Sequence, residues 1–183
     1  MAAINYDAIA QELKRGLVDN ERAAACLGGN KPTVLKELYT LSMGGPRQTG
    51  KTKWIVENLI RDPNARAVVI NKTMEESFLN YVRRYHHLTP DNKIPTPGGW
   101  VSVPADVAKI IRKNPQAVAI AGCNVLTARR FNEIIAMDLE DRELLTQIFI
   151  DESVSVFNVM RRNKYYTWLA KLTGKHTLTW LIN

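Results

Sequence analysis

Residues 45–52 read Gly-Pro-Arg-Gln-Thr-Gly-Lys-Thr, between an apolar run, "LYTLSM", and a stretch of helical periodicity, "KTKWIVENLI". This is a full match to Gly-x-x-x-x-Gly-Lys-Ser/Thr, which average residue usage gives by chance in roughly one chain in a few hundred of this length. It constrains the fold more than any other feature, because it asks for a strand, a tight loop and a helix in that order. The glycines let the backbone turn successive N–H groups inward, and the following helix adds the positive end of its dipole. Such a loop is shaped for phosphate, so Gly45, Pro46, Arg47, Gln48, Thr49, Gly50, Lys51 and Thr52 are expected to bind a nucleotide, ATP. Lys51 would reach the β- and γ-phosphates, and the Thr52 hydroxyl would ligate Mg²⁺. The competing reading is a plain glycine turn with Lys51 solvated, and the strand-then-helix context argues against it.

The rest of the chain alternates in the same manner. Ile4, Ala8, Ile9, Leu13 and Leu17 recur at helical spacing, and a second short helix starts around Pro32. Strands are expected at "RAVVIN", "WVSV", "QAVAIAG", "QIFID" and "HTLTWLIN". Helices are expected at "KTMEESFLNYVRRYHH", where Met74, Phe78, Tyr81, Val82 and Tyr85 share a face, and at "PADVAKIIRK", "TARRFNEIIAM" and "DRELL". "VFNVMRRNKYYTWLAKLTG" reads as one further helix, and "LTPDNKIPTPGG" as a surface loop rich in Pro and Gly. Alternating strands and helices predict an α/β fold, with a mostly parallel sheet and helices on both faces. We divide it into a helical N-terminal extension, 1–36, and a single core, 37–183.

Composition narrows the function classes. With 45% hydrophobic residues the chain is not disordered, and no apolar run approaches the roughly 20 residues of a membrane span. The N-terminus lacks the apolar segment of a signal peptide, so a cytoplasmic protein with no membrane partner is expected. Cys26 and Cys123 stand far apart, which disfavours a disulfide framework or a thiolate metal site. A net charge of +7 favours a polyanionic partner.

The second informative stretch is "QIFIDES". An apolar strand ends in Asp151-Glu152 a hundred residues after Lys51, and no other predicted strand ends in paired acids. Asp151 is placed to anchor Mg²⁺, and Glu152 to act as general base on an attacking water. Two carboxylates at this point indicate hydrolysis coupled to motion.

Together these residues resemble a family. "RQTGKT" is similar to the Arg-Gln-x-Gly-Lys-Ser/Thr loop in the ATPase domain of large terminase subunits, the DNA-packaging motors of tailed bacteriophages and herpesviruses. "AVVINKTMEESFLNYVRRY" resembles the strand and helix after that loop, "IFIDES" the strand with the catalytic Glu, and "HTLTWLIN" the coupling strand. The likeness spans about residues 38–183. It implies a P-loop ATPase of the additional-strand, catalytic-Glu type, found in host cytoplasm if the protein is viral. Lys51, Arg47 and Glu152 would be catalytic, Arg47 contacting the γ-phosphate. Thr52 and Asp151 would hold Mg²⁺, and Thr177 or Thr179 would couple hydrolysis to motion. An adenine contact is expected upstream of the loop, with Gln11, Tyr6 and Asn30 as candidates.

The implied partners are double-stranded DNA, a nuclease domain or chain, portal and small terminase subunits, and further copies of the chain in a ring. Arg129, Arg130, Arg161 and Arg162 are candidates for an arginine finger donated to a neighbour. Alternatives are a helicase- or AAA-like remodelling ATPase, a non-hydrolysing module that binds nucleotide or DNA, and a nucleotide kinase. The basic clusters "YVRRYHH", "KIIRK", "ARR" and "MRRNKYY" suit DNA phosphates, but each also reads as the solvated face of a helix. His86 and His87 lack metal-ligand partners at suitable spacing. Trp54, Trp100, Trp168 and Trp180 read as core or edge packing.

Overall fold

Five short runs rich in apolar and β-branched residues form one wholly parallel sheet, with the order β1-β7-β6-β2-β5. The strands are β1 (Thr40–Met43), β2 (Arg66–Val69), β5 (Val125–Thr127), β6 (Gln147–Asp151) and β7 (Leu178–Ile182). A separate hairpin pairs β3 (Lys93–Thr96) with β4 (Gly99–Ser102). The computed structural model describes residues 4–17, 31–45, 49–137, 145–172 and 177–183. Of the sequence expectations, most of "DRELL" lies outside them.

Helices cover both faces, as a parallel sheet requires. Side chains alternate across it: Ala67, Val69, Phe149, Leu178, Trp180 and Ile182 enter one core, while Val68, Ile148, Ile150 and Leu181 enter the other. The first core is roofed by α1 (Tyr6–Arg15), α3 (Lys51–Arg61), α4 (Lys72–Arg83), α5 (Ala105–Lys113) and α6 (Gln116–Cys123). The second is roofed by α2 (Lys31–Leu38), α7 (Ala128–Ala136), α8 (Ser153–Val159) and α9 (Arg162–Leu169). No helix among the described residues is long and apolar enough to cross a membrane.

Aromatic packing fixes the sheet beneath the glycine loop. Trp180 is stacked on Phe149 at 6.2 Å, and Trp54 meets both rings edge-on at 5.3 Å. Both indoles find acceptors: Trp54 donates to Asp7 at 2.9 Å and Trp180 to Gln147 at 3.0 Å. Trp54, Trp168 and Trp180 are buried, whereas Trp100 is exposed on the hairpin. On the buried face of α3, Glu57 accepts from Lys53 at 2.7 Å and from Tyr85 at 3.2 Å. Burial raises its carboxyl above the usual range, against the pull of Lys53.

Helix α1 packs on this framework. Tyr6 and Ala10 are buried in the first core, and Lys14 lies 5.5 Å from the Trp180 ring. Met74, Phe78, Tyr81 and Val82 of α4 and Tyr85 just beyond it join the same core, as their spacing predicts.

Three expectations are corrected. "QAVAIAG" lies in helix α6, not a strand, and the edge strand is Val125–Thr127, one residue beyond that helix. So short an apolar run carries no period of its own. Here three alanines and Pro115 at the N-cap favour the helix, whose Ala117, Val118 and Ala121 face the core. The Pro/Gly segment read as a surface loop contains strand β3. Pro95 is tolerated because the ribbon has only two strands, and Ile94 anchors it in the core. Gly99, at φ +110°, makes the turn. Finally, the long helix after β6 is two helices, broken where Met160 and Arg161 turn extended. Met160 is fully buried at that corner, and α9 then lays Tyr165, Tyr166, Trp168 and Leu169 into the second core.

Candidate functional site

The carboxyl ends of three adjacent strands converge. Met43 pairs with Ile182, and Ile182 with Asp151, so β7 separates the strand entering the glycine loop from the strand bearing the acids. At normal strand spacing the two backbones lie about 10 Å apart. Crevices at the carboxyl ends of open parallel sheets are the usual ligand sites of such folds.

On one wall, Gly44 and Gly45 leave β1, and Gly50 caps α3 with φ +94°, a left-handed conformation that favours glycine. Lys51 and Thr52 occupy the first turn of α3, half-buried. The Lys51 ammonium donates to the carbonyls of Gly45 and Asn183, each at 2.9 Å. Pro46, Arg47 and Gln48 lie outside the described residues, as does Asn30.

On the other wall, Asp151 ends β6 with 9% of its surface exposed. Burial pushes its carboxyl up to about 6, and the Glu152 charge pushes the same way, while Lys51 and the Glu152 backbone N–H pull it down. Glu152 is exposed and sits at φ +49°, ψ +53° as the N-cap of α8. A non-glycine residue in that region costs about 1–3 kcal/mol, a strain that clusters at functional sites.

The middle strand joins the two walls through a residue the motifs do not mark. Asn183 follows β7, and its carbonyl accepts from Lys51 and from the Gly45 N–H, the latter at 3.2 Å. Its side-chain carbonyl accepts from the buried Ser153 hydroxyl at 2.7 Å. Thr177 and Thr179 are engaged elsewhere. The Thr177 hydroxyl donates to the Leu145 carbonyl at 2.8 Å, and that of Thr179 bonds the Tyr165 hydroxyl at 2.7 Å inside the second core. Asn183 is the β7-side residue that meets the loop. A polar residue directly after the apolar run of β7 was the available sequence signal.

Of the adenine candidates, Tyr6 is buried, with its hydroxyl bonded to the Thr49 hydroxyl. Gln11 is exposed and lines a cleft of about 380 Å³ beside Asp7, Lys14 and Arg61. The four candidate finger arginines are all exposed. Arg129 pairs with Glu133 at 3.3 Å, and Arg162 lies over Phe157 at 5.5 Å. Arg112, in the "KIIRK" cluster, is spent on the carbonyls of Thr89 and Pro90 and the Asn92 amide.

The residues fit a magnesium ion held largely by phosphate and water. Asp151 and Thr52 offer hard oxygen donors, and no group of three or more His, Cys, Asp or Glu among the described residues could cage a metal.

The buried Asp151 also makes stability depend on pH. Between roughly pH 4 and 6 the folded protein holds a proton that the unfolded chain has released. Stability therefore falls as pH rises through that window, and above it an ionised Asp151 costs the fold on the order of 2–3 kcal/mol. Asp151→Asn is expected to be more stable than wild type by about that amount near pH 7 and little changed near pH 4. Urea unfolding at the two pH values measures it; equal differences at both would contradict the assignment.

No family model matches the chain, and no curated protein matches it.

Proposed function

We propose that the chain is a P-loop ATP hydrolase of the additional-strand, catalytic-glutamate type, and that it spends ATP on work against double-stranded DNA. The observation that carries this is the convergence of Lys51 and the Asp151-Glu152 pair at the carboxyl ends of the strands, with a single strand interposed. That interposed strand is the feature for which the class is named.

Lys51 would hold the β- and γ-phosphates, exchanging its bonds to Gly45 and Asn183 for stronger charge-assisted ones. Thr52 and Asp151 would hold Mg²⁺, which when bound neutralises charge developing on the phosphates. Glu152, exposed and in a left-handed backbone conformation, would take the proton from the attacking water onto its carboxylate. Asn183 links loop to acid strand, which suits it better than Thr177 or Thr179 to report the state of the phosphates. Arg47 contacts the γ-phosphate in the resemblance to terminase large subunits, and it keeps that role here.

Packaging of a viral genome is the work that the loop "RQTGKT" favours, with a nuclease, a portal, a small subunit and further copies in a ring as partners. The net charge of +7 and the exposed arginines at 129, 130, 161 and 162 suit a polyanion. The test is steady-state Mg-ATP turnover with and without linear duplex DNA at low salt. Turnover several-fold faster with DNA, declining as salt rises, is expected. Tight nucleotide binding with no turnover under either condition would favour the non-hydrolysing module instead.

A further inference from the structure

The two motif glycines are glycine for different reasons. Gly50 has φ +94°, and a Cβ there would meet nothing within 4 Å. Gly45 has no such backbone conformation, yet a Cβ on it would fall 2.6 Å from the Tyr6 hydroxyl and 3.4 Å from Thr49 Oγ1. The first motif glycine is thus required by a side chain from a different part of the chain, 39 residues upstream.

That side chain is held in place. Tyr6 is 3% exposed, with its ring 6.1 Å from that of Trp54. One residue on, Asp7 accepts from the Trp54 indole at 2.9 Å and pairs with Arg61 at 3.4 Å. Farther along α1, Lys14 reaches Gln147 at 3.4 Å. The helix is tied to α3 and to the sheet, and the phenol projects from a fixed base. Its hydroxyl is bonded to Thr49, while the same oxygen lies against Gly45, so one atom touches both ends of the loop.

We propose that Tyr6 is a positioning residue of the phosphate loop: it clasps Gly45 and Thr49 and so sets the distance between these two anchor points before a nucleotide binds. This rests on the nucleotide reading of the site. Anchor points fixed beforehand lose less freedom on binding, so the clasp adds affinity without touching the reacting atoms. The coupling is reciprocal, and nucleotide in the loop holds α1 against the core.

A double-variant cycle tests it: Tyr6→Phe, Gly45→Ala and the pair, each measured for Mg-ATP dissociation constant, kcat and melting temperature. Tyr6→Phe keeps the ring on Trp54 and removes only the hydroxyl. It is expected to weaken binding about two- to tenfold while leaving kcat within about twofold. A structural role alone would not produce that split. Gly45→Ala is expected to bind at least about tenfold more weakly than wild type, because its methyl strikes the hydroxyl. The pair is expected to bind better than Gly45→Ala alone, since the obstructing atom is gone. If the pair binds no better than Gly45→Ala, the clasp is overturned. Should Gly45→Ala not fold, recovery of folded protein in the pair supports the clasp, and failure to recover it counts against it. Should wild type bind no Mg-ATP, the nucleotide reading falls and the positioning role with it. The melting temperatures then decide the contact alone: Tyr6→Phe either restores the stability lost in Gly45→Ala or it does not.

Discussion

Glu152→Gln is expected to bind Mg-ATP within about threefold of wild type and to turn it over two to four orders of magnitude more slowly. The substitution preserves size and the ability to occupy the N-cap of α8, where Glu152 sits at φ +49°. It removes the one property the proposed mechanism needs from this residue, an oxygen that can accept a proton. Glu152 is exposed and does not help build either core, so the fold should survive the change. Asp151, next to it, will feel a different field. Loss of the Glu152 charge removes one of the two influences raising the Asp151 carboxyl, so Asp151 gives up its proton more readily in the variant. Rapid-mixing turnover together with a calorimetric dissociation constant separates the two effects. Equal losses in binding and turnover would make Glu152 a binding residue instead.

Lys51→Ala has the opposite signature, with binding lost first. Charge-assisted hydrogen bonds contribute about 1.5–3 kcal/mol each, so removing an ammonium that serves two phosphates should weaken Mg-ATP by about a hundredfold or more. In the protein alone, the same ammonium bridges Gly45 and Asn183, thereby joining the loop to β7. Its loss there should cost only about 1 kcal/mol, since both carbonyls lie near the open rim and water can replace it. A melting temperature close to wild type alongside absent binding is therefore the expected pair of results. Lys51→Arg should not rescue binding, because a planar fork cannot stand in for a compact point charge between phosphates.

What could be read directly from the sequence was whatever a local pattern specifies. The loop announced itself by spacing. The acid strand did so through its apolar run into Asp151-Glu152, and the α/β class through alternation of the two periodicities. Other features depended on distant partners. "QAVAIAG" is apolar enough for either strand or helix, and its packing beside α3 and α4 made it a helix. Pro95 disguised a strand that an edge position permits. The break at Met160-Arg161 carries neither Gly nor Pro, and comes from burying Met160 while α9 turns onto the second core.

The links that complete the site were the least legible, since nothing in the local pattern marks Tyr6 or Asn183 as meeting the loop, or Ser153 as bonding Asn183. The resemblance made Thr177 or Thr179 the coupling residue, yet their hydroxyls are committed to Leu145 and Tyr165.

The most direct test is a calorimetric titration of ATP into the purified protein with Mg²⁺, repeated on Lys51→Ala and without the metal. One saturable site in the wild type is predicted, weakened by about a hundredfold or more in Lys51→Ala and clearly weaker without Mg²⁺. Binding that is unchanged in Lys51→Ala, or no binding by the wild type at all, would contradict the assignment of residues 45–52 as a phosphate loop.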